Sequence, residues 1–418
     1  MGIKRRIAGA LVVLAVAGIA VSAAAGAHRT DPGITANSIT IGGTFPLTGV
    51  AAAYKTIPLA EQAYYAYVNA HGGVNGRNID FKILDDAYNP AQTVPLTQQL
   101  VEQSKVFAVV GSLGTAPGLS TWTYLNQKQV PQVFLATGDS YWGACEKKSC
   151  AGSTHPYTIG WQPDYPAEGR MYGKYIAQNM PNAKVGIIYQ NDAFGKNYIA
   201  GLVQGLGAKK SLITDEEGFN ATDTTVTQQI LALKAKGCDT LFIVATPSQA
   251  IASLVTATKI GWSPTTFLSN VSNNPFFVHI AGANGANLDG VISSVYTANQ
   301  TTQATLPGMV LGRQIISGYA GALLPQWDAG DGNLVYGLGV AWTFVQALQQ
   351  AGKNPTRASF LAAVHNLNTS KNPFLYPGIS LKTSATDGFP IEQLQLVKWS
   401  GGATGNWQAV GSVQNVGH

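Results

Sequence analysis

From residue 39 onward the sequence alternates short apolar stretches with longer helical patterns, and this alternation is the strongest constraint on its fold. The first predicted strands lie at 39–45, 79–84, 106–110 and 132–135. The helices predicted between them lie at 59–70, 91–104 and 119–127. Strands that alternate with helices in this way predict βαβ units and therefore a parallel sheet.

The alternation stops over 139–166, which is rich in Gly, Pro and aromatic residues, and then starts again. We interpret this stretch as the exit from one domain and the passage into another. The second set of predicted strands lies at 184–189, 212–217, 240–245, 266–269 and 291–295. The helices of this half are predicted at 167–179, 195–206, 226–235 and 249–260, followed by 333–351 and 357–364 and a strand-like tail at 391–399.

The sequence therefore predicts an α/β fold with two doubly wound parallel-sheet lobes. We assign 36–160 plus 296–385 to the first lobe and 161–295 plus 386–418 to the second, so that about three crossings form the hinge. In open α/β sheets, ligands bind outside the carboxyl ends of the strands. Two such edges that face each other form a cleft, which a hinge can close.

The first 27 residues have a basic start, an apolar run and a small-residue end, which is typical of an export signal. Cleavage is predicted after Ala27 or Ala25, and an uncleaved membrane anchor is the alternative. Because no Cys lies near the cleavage site, a lipoprotein anchor has no attachment point. We expect a soluble periplasmic or secreted protein.

The charged residues are few and scattered. The chain has 26 Lys and Arg against 21 Asp and Glu, and three of the positive charges are Lys4, Arg5 and Arg6. A nucleic-acid-binding protein would need a clustered basic face, which the sequence lacks. Nucleic acid is therefore excluded as a partner.

The three cysteines are predicted to play structural roles. Cys145 and Cys150 lie five residues apart and are expected to form a small-loop disulfide in an oxidising compartment. Cys238 precedes an apolar strand and is expected to be a buried free thiol. No second cysteine pair or histidine cluster completes a metal site, so neither a metal nor a cofactor is predicted.

Small, polar and uncharged loops follow the predicted strands. They read PLTGVAAAY, GSLGTAPG and LATGDSYW in the first half, and NDAFG and TPSQ in the second. Thr115 and Thr246 stand at helix N-cap positions with a Pro within two residues. A helix N-terminus attracts a carboxylate or another anion. Ordinary helix capping explains the residues of any single loop, but the recurrence of such loops at five strand ends indicates a small-molecule site.

These loops also carry a family resemblance. The chain resembles the type I periplasmic solute-binding proteins of the branched-chain amino acid receptor group, over roughly residues 36 to 400. The supporting stretches are ITIGGTFPLTG, NAHGGVNGRNIDFKILDDAYNP, AVVGSLGTAPG, VPQVFLATG, KVGIIYQNDAFGK and DTLFIVATPSQ. The resemblance implies a monomer that binds a small organic ligand by hinge closure and delivers it to an ABC permease.

The family's ligand site falls on seven positions of this chain. The resemblance implies contacts at Tyr54, Thr115, Ala136, Thr137, Phe194, Thr246 and Val271. Thr115, Ala136 and Thr137 would hold the ligand carboxylate, with the register of the last two uncertain by one residue. The second lobe would contribute Phe194 and Thr246, where amino acid binders often have Tyr.

In the family, an acidic residue binds the α-ammonium group of the ligand, and its position should fall near Val271. No Asp or Glu lies between residues 240 and 288. A buried ammonium without a carboxylate is costly. We therefore expect a ligand with an acid or amide end and an uncharged aromatic or aliphatic body. Asp192 or Glu168 could act as a substitute acid, and that alternative stays open.

Other functions are disfavoured by missing motifs. The sequence has no Gly-x-Ser-x-Gly elbow, no Walker loop and no His-Glu-x-x-His. We expect no enzyme, although a secreted hydrolase remains a distant alternative. A ligand-sensing subunit of a signalling receptor would have the same fold and is the nearer alternative.

Overall fold

The structure contains two separate main sheets, one for each predicted run of alternating strands and helices. It is a computed structural model that describes residues 31–145, 149–150 and 152–417. The predicted signal peptide at 1–27 lies outside the described residues. Across the described part of the chain, no helix has both the length and the apolar composition needed to cross a membrane.

The first sheet has five strands, and all of its pairings are parallel. In chain order this region contains β1 (Ser38–Phe45), α1 (Thr56–Ala70), β2 (Asn78–Asp85), α2 (Pro90–Gln98), β3 (Val109–Val110), α3 (Thr115–Gln127), β4 (Gln132–Leu135) and β5 (Thr158–Gly160). The strand order is β2-β1-β3-β4-β5. β4 is buried at every residue, as expected where helices cover both faces of a parallel sheet.

The second sheet begins with the same architecture. Its elements are α4 (Tyr165–Asn179), β6 (Val185–Gln190), α5 (Ala193–Leu206), β7 (Ile213–Phe219), α6 (Thr227–Ala235), β8 (Thr240–Val244), α7 (Pro247–Lys259), β9 (Thr265–Leu268), α8 (Pro275–Ala283) and β10 (Ile292–Val295). The strands β7-β6-β8-β9-β10 are neighbours in that order, and all of these pairs are parallel. The central strand β8 is buried at every residue.

Helices α4 and α5 pack against each other through glycines. Gly169 and Gly173 on α4 meet Gly201 and Gly205 on α5. A Cβ added at any of the four would lie 2.2–2.5 Å from a backbone carbonyl oxygen of the facing segment. The two backbones are therefore in direct contact, which a larger residue at these positions would prevent.

After β10 the chain returns to the first sheet and then ends on the second. The remaining elements are α9 (Pro307–Tyr319), α10 (Leu324–Asp328), α11 (Gly332–Gln350), α12 (Arg357–Val364), β11 (Asn368–Thr369), β12 (Leu381–Lys382), β13 (Gln393–Ser400), β14 (Asn406–Ala409) and β15 (Gln414–Asn415). α11 packs on α1 so closely that a Cβ on Gly337 would lie 2.3 Å from the carbonyl oxygen of Ile57. β13 pairs antiparallel with β10 and extends the second sheet.

The chain thus passes between the two sheets three times. The predicted α/β fold with two lobes and three connections is confirmed. The residue boundaries assigned to the lobes, 36–160 plus 296–385 and 161–295 plus 386–418, stay predictions.

Several elements differ from the predicted ones. α8 and α9 were not predicted, because each begins at a Pro that follows polar, loop-like residues. β5 lies inside the stretch expected to be irregular. The helix predicted at 91–104 is α-helical only as far as Gln98, beyond Pro95, and continues as a π-helical turn over Gln99–Gln103. The second sheet also carries the antiparallel strands β13, β14 and β15.

Candidate functional site

A cavity lies between the carboxyl ends of the strands of the two sheets. It encloses about 990 Å³ of empty space, a figure that includes space open to solvent. Six of the seven predicted site residues line it, namely Tyr54, Thr115, Ala136, Phe194, Thr246 and Val271. The seventh, Thr137, lies behind the wall, where its Oγ1 is 2.7 Å from Oγ1 of Thr115. The structure brings these residues together, while their roles in ligand binding stay predictions.

The lining of this cavity is uncharged. Among the described residues, no Asp, Glu, Lys, Arg or His lines it. Its polar groups include the side-chain amides of Gln162, Asn270, Asn273, Asn274, Asn299, Gln300 and Asn333. Its aromatic rings belong to Tyr54, Tyr88, Tyr165, Phe194, Tyr296, Tyr336 and Trp407. Such a surface can hydrogen-bond a neutral polar group and pack against an apolar body.

The first lobe contributes the start of α3. Gly114, the N-cap residue, has φ 111°, a conformation that favours glycine, and a Cβ there would lie 2.5 Å from the ring of Tyr88. No side chain caps this helix end, and both Gly114 and Thr115 line the cavity. Thr137 accepts a hydrogen bond from the backbone N–H of Asp139 at 3.1 Å. The hydroxyl of Thr137 is therefore held against that of Thr115.

The second lobe contributes helix starts as well. Phe194 lies in the first turn of α5, and Thr246 is the N-cap residue of α7. The Thr246 hydroxyl donates to Oε1 of Gln249 at 3.0 Å. Val271 lies in a short 3-10 turn, and its carbonyl oxygen accepts a hydrogen bond from Tyr54 Oη at 2.9 Å across the cleft. No carboxylate occupies this position among the described residues.

The two possible substitute acids do not line the cavity. Asp192 caps α5, accepting from the backbone N–H of Gly195 at 3.3 Å and from Nε2 of Gln190 at 2.6 Å. Glu168, on α4, is completely buried. Its carboxylate accepts four hydrogen bonds, and burial nevertheless raises the pKa of Glu168 to about 7. Neither side chain is placed to pair directly with a ligand ammonium.

The lobes also contact each other through two helix caps that the sequence did not reveal. Asp331 caps α11 in the first lobe, and Asn274 caps α8 in the second. Nδ2 of Asn274 donates to Oδ1 of Asp331 at 2.7 Å, and the backbone N–H of Gly332 donates to Oδ1 of Asn274 at 3.0 Å. Thr56 donates to the other Asp331 oxygen at 2.7 Å. Asn274 therefore caps α8 and also accepts from the first residue of α11, while Asp331 caps α11 and holds the Asn274 amide.

The cysteines have the predicted arrangement in the structure. A disulfide joins Cys145 and Cys150, with their Cα atoms 4.3 Å apart, and Cys238 is a buried free thiol. His365 lies beside the disulfide, and these three residues are the one metal-ligating group found within the described ranges. Because the disulfide leaves no thiolate, this group is not a zinc site.

Several lining residues escaped the sequence analysis. Tyr88 follows β2, in a stretch whose two acids form turns, with Asp86 accepting from the backbone N–H of Tyr88 at 3.0 Å. An aromatic residue directly beyond a strand end was a usable signal there. Tyr296 directly follows β10, so the same signal was present there, whereas Trp407 comes from the C-terminal tail, where the sequence carried none.

Comparison with known proteins decides the family. A profile described as periplasmic binding protein matches residues 38–404. The chain belongs to this family. The resemblance to the type I branched-chain amino acid receptor group is thereby confirmed, and members of the family are binding proteins rather than enzymes.

Curated relatives of this family member match only part of it. The Leu/Ile/Val-binding protein homolog 3 of Brucella melitensis is 27% identical over 210 residues, which cover 49% of this chain and 53% of the relative. An amino acid binding protein of Pseudomonas aeruginosa is 26% identical over 166 residues, covering 38% and 42%. The chain thus spans about half the length of the curated relatives that it matches.

Solved structures of the family match nearly the whole chain. A fatty acid ABC transporter substrate-binding protein from Thermomonospora curvata has a TM-score of 0.75 at 22% identity, covering 93% of this chain and 95% of that one. A branched chain amino acid ABC transporter from Thermus thermophilus with bound valine has a TM-score of 0.77 at 17% identity, covering 91% and 97%. At these identities the likeness shows the shared fold.

Proposed function

We propose that this chain is an extracytoplasmic solute-binding protein that delivers a small organic ligand to an ABC importer. The ligand has an acid or amide end and an uncharged aromatic or aliphatic body. The observation that carries this proposal is the cavity between the lobes, in which every described lining residue is uncharged. A charged ligand body would lose its hydration there without gaining a counter-charge.

The acid or amide end fits the first lobe. The start of α3 offers backbone N–H groups without a side-chain cap, and Thr115 adds a hydroxyl supported by Thr137. Helix N-termini stabilise carboxylates and electron-rich carbonyls through these donors and the helix dipole. The aromatic rings of the lining then enclose the rest of the ligand.

The relatives do not decide the ligand class, because their names include both branched-chain amino acid and fatty acid binders. An α-amino acid would bring an ammonium into a cavity whose described lining lacks a carboxylate. The carboxylate of an aliphatic or aromatic acid would be stabilised by the uncapped start of α3, and an amide carries no charge. We therefore favour these acids and amides over leucine or valine.

Closure of the two lobes completes the mechanism. The ligand binds the first lobe at Thr115, and Phe194 and Thr246 of the second lobe close over it. A ligand shifts the open–closed equilibrium only by the difference between its affinities for the two forms, and contacts on both lobes supply that difference. The closed monomer then docks on its permease. Small-angle scattering should show a smaller radius of gyration when ligand is added.

The test combines ligand identification with titration. Mass spectrometry of the purified protein identifies any small molecule that co-purifies unchanged. Calorimetry then compares phenylacetate, phenylacetamide, hexanoate, leucine and valine. Substituting Thr115→Val should weaken binding of the acids about tenfold, since one hydrogen bond to a charged group is lost. The control Thr214→Val changes an exposed strand residue of the second lobe and should bind as the wild type does.

Tight binding of leucine or valine, with no response to any acid or amide, would overturn the proposed ligand class. A co-purified compound that is returned chemically altered would instead favour an enzyme.

A further inference from the structure

The end of β10 and the segment that follows it form one wall of the cavity, since residues 294–300 all line it. The Asn299 side chain builds a turn in this segment, because its Oδ1 accepts from the backbone N–H of Thr301 at 2.9 Å and from that of Thr302 at 3.0 Å. The turn exposes Thr301 and directs Gln300 inward, where only 5% of Gln300 remains exposed.

The carboxamide of Gln300 has unused hydrogen-bonding capacity. Its Nε2 is covered from solvent and has no hydrogen-bond partner among the described residues. Its Oε1 accepts no hydrogen bond from these residues either, yet it is not among the covered atoms without a partner. That oxygen therefore borders open space, and for a buried side chain of the lining this space is the cavity.

A buried donor without a partner costs stability. It keeps the full penalty for losing its bound water, and such groups are rare enough in proteins that each one calls for an explanation. Rotation about the last side-chain bond of Gln300 exchanges Nε2 and Oε1, so that the donor faces the cavity. Because an under-satisfied carbonyl is tolerated more often than an unsatisfied N–H, a ligand acceptor at this wall removes the larger penalty. A ligand that offered only a donor would leave Nε2 unsatisfied.

We propose that Gln300 is a specificity-determining residue of the ligand site, whose Nε2 donates to a hydrogen-bond acceptor on the body of the ligand. This inference rests on the proposed function and deepens it. The acid or amide end binds at Thr115, and the uncharged body carries an acceptor such as a ketone, ether or ester oxygen. A pure hydrocarbon body would leave the Gln300 amide unsatisfied.

The test compares probes that differ in one acceptor. 4-Acetylphenylacetate and 4-isopropylphenylacetate share the acid end, the ring and nearly the same shape, but only the first has a ketone oxygen. The corresponding 3-substituted pair places the same groups one ring position away. Calorimetry measures all four affinities for the wild type and for Gln300→Met. In at least one pair, the substitution should lower the acetyl-to-isopropyl affinity ratio about fivefold, because one neutral hydrogen bond is lost.

Gln326→Met is the matched control. Gln326 lies on α10, and its Oε1 is also covered and without a partner among the described residues, but Gln326 does not line the cavity. This variant should keep the wild-type ratio in both pairs. An unchanged ratio for Gln300→Met in both pairs, or a fall that Gln326→Met shares, would overturn the inference.

Urea unfolding of the ligand-free protein tests the unsatisfied amide without any probe. Met has a similar length and leaves no polar group unsatisfied, so Gln300→Met should be at least as stable as the wild type. A clear loss of stability would show that Gln300 supports the fold and would overturn the inference. If none of the four probes binds the wild type, the proposed ligand class fails, and the unfolding result alone decides the role of Gln300.

Discussion

Replacing Glu61 with Gln should stabilise the protein at neutral pH. Glu61 is completely buried on α1, and neither of its oxygens nor Tyr65 Oη, one turn further on, has a hydrogen-bond partner among the described residues. The carboxyl packs against Gly111, where a Cβ would lie 2.5 Å from Oε1 of Glu61. Burial raises the pKa of Glu61 well above its usual range, so the folded protein keeps this carboxyl neutral.

The size of the effect follows from proton linkage. In the unfolded chain a glutamate ionises near pH ~4.3, and each unit of pKa difference corresponds to about 1.4 kcal/mol. Above this pH the folded state retains a proton that the unfolded state releases, so stability is lost as the pH rises towards the folded-state pKa. The loss grows by about 1.4 kcal/mol for each pH unit above the unfolded-state value, until the pH reaches the raised pKa of Glu61 in the folded state. Gln has a similar shape and does not ionise, so the variant avoids this loss.

The assay is urea unfolding of wild type and Glu61→Gln at about pH 5 and about pH 8. The difference in unfolding free energy between the two proteins should be small at the lower pH and larger at the higher one, growing by about 1.4 kcal/mol per pH unit while the folded state keeps Glu61 protonated. Other titrating groups cancel in this comparison. Glu102→Gln, at an exposed position, serves as the control and should show no comparable change. A difference that is the same at both pH values would refute a neutral, unpartnered Glu61.

Two further substitutions, each with a control variant, test the packing of α4 on α5 and the contact between the lobes across the cleft. Gly201→Ala places a Cβ 2.3 Å from the carbonyl oxygen of Pro166 and should lower the unfolding free energy by about 1–3 kcal/mol in urea titrations. Gly318→Ala, which meets no heavy atom within 4 Å, should leave stability unchanged or higher. Asn274→Ala removes the cap shared across the cleft, so scattering of the ligand-free protein should show a larger radius of gyration, and ligand affinity should fall. The exposed control Asn284→Ala should change neither, and equal behaviour of the two variants would contradict the role of the shared cap.

Much of the fold could be predicted because local patterns dominate it. The helix at 357–364 and the strand at 132–135 have the predicted bounds, since apolar residues and turn signals delimit both. The positions of Thr115 and Phe194 also followed from the sequence, because parallel strands place their carboxyl ends at one edge. Their grouping around one cavity required only that the two edges face each other.

The rest depended on contacts between distant parts of the chain. Asn274 and Asp331 are 57 residues apart, and each reads as an ordinary helix cap in isolation. The ring of Trp407 reaches the cavity from the C-terminal tail, which carries no motif. Of the four donors to Glu168, Tyr172 lies one turn further along α4, and the other three come from separate elements, so spacing in the sequence could reveal only the first.

The glycine contact between α4 and α5 has a consequence for how new ligand preferences could be engineered. α4 carries Glu168, and α5 carries Phe194 and Tyr198, so the spacing of these three side chains is set by two backbones that already touch. Neither helix can slide or tilt to make room for a bulkier ligand on this side of the cavity. A redesign for larger compounds should therefore vary side chains around Tyr54 and Tyr88, on the opposite lobe, and leave the paired helices untouched.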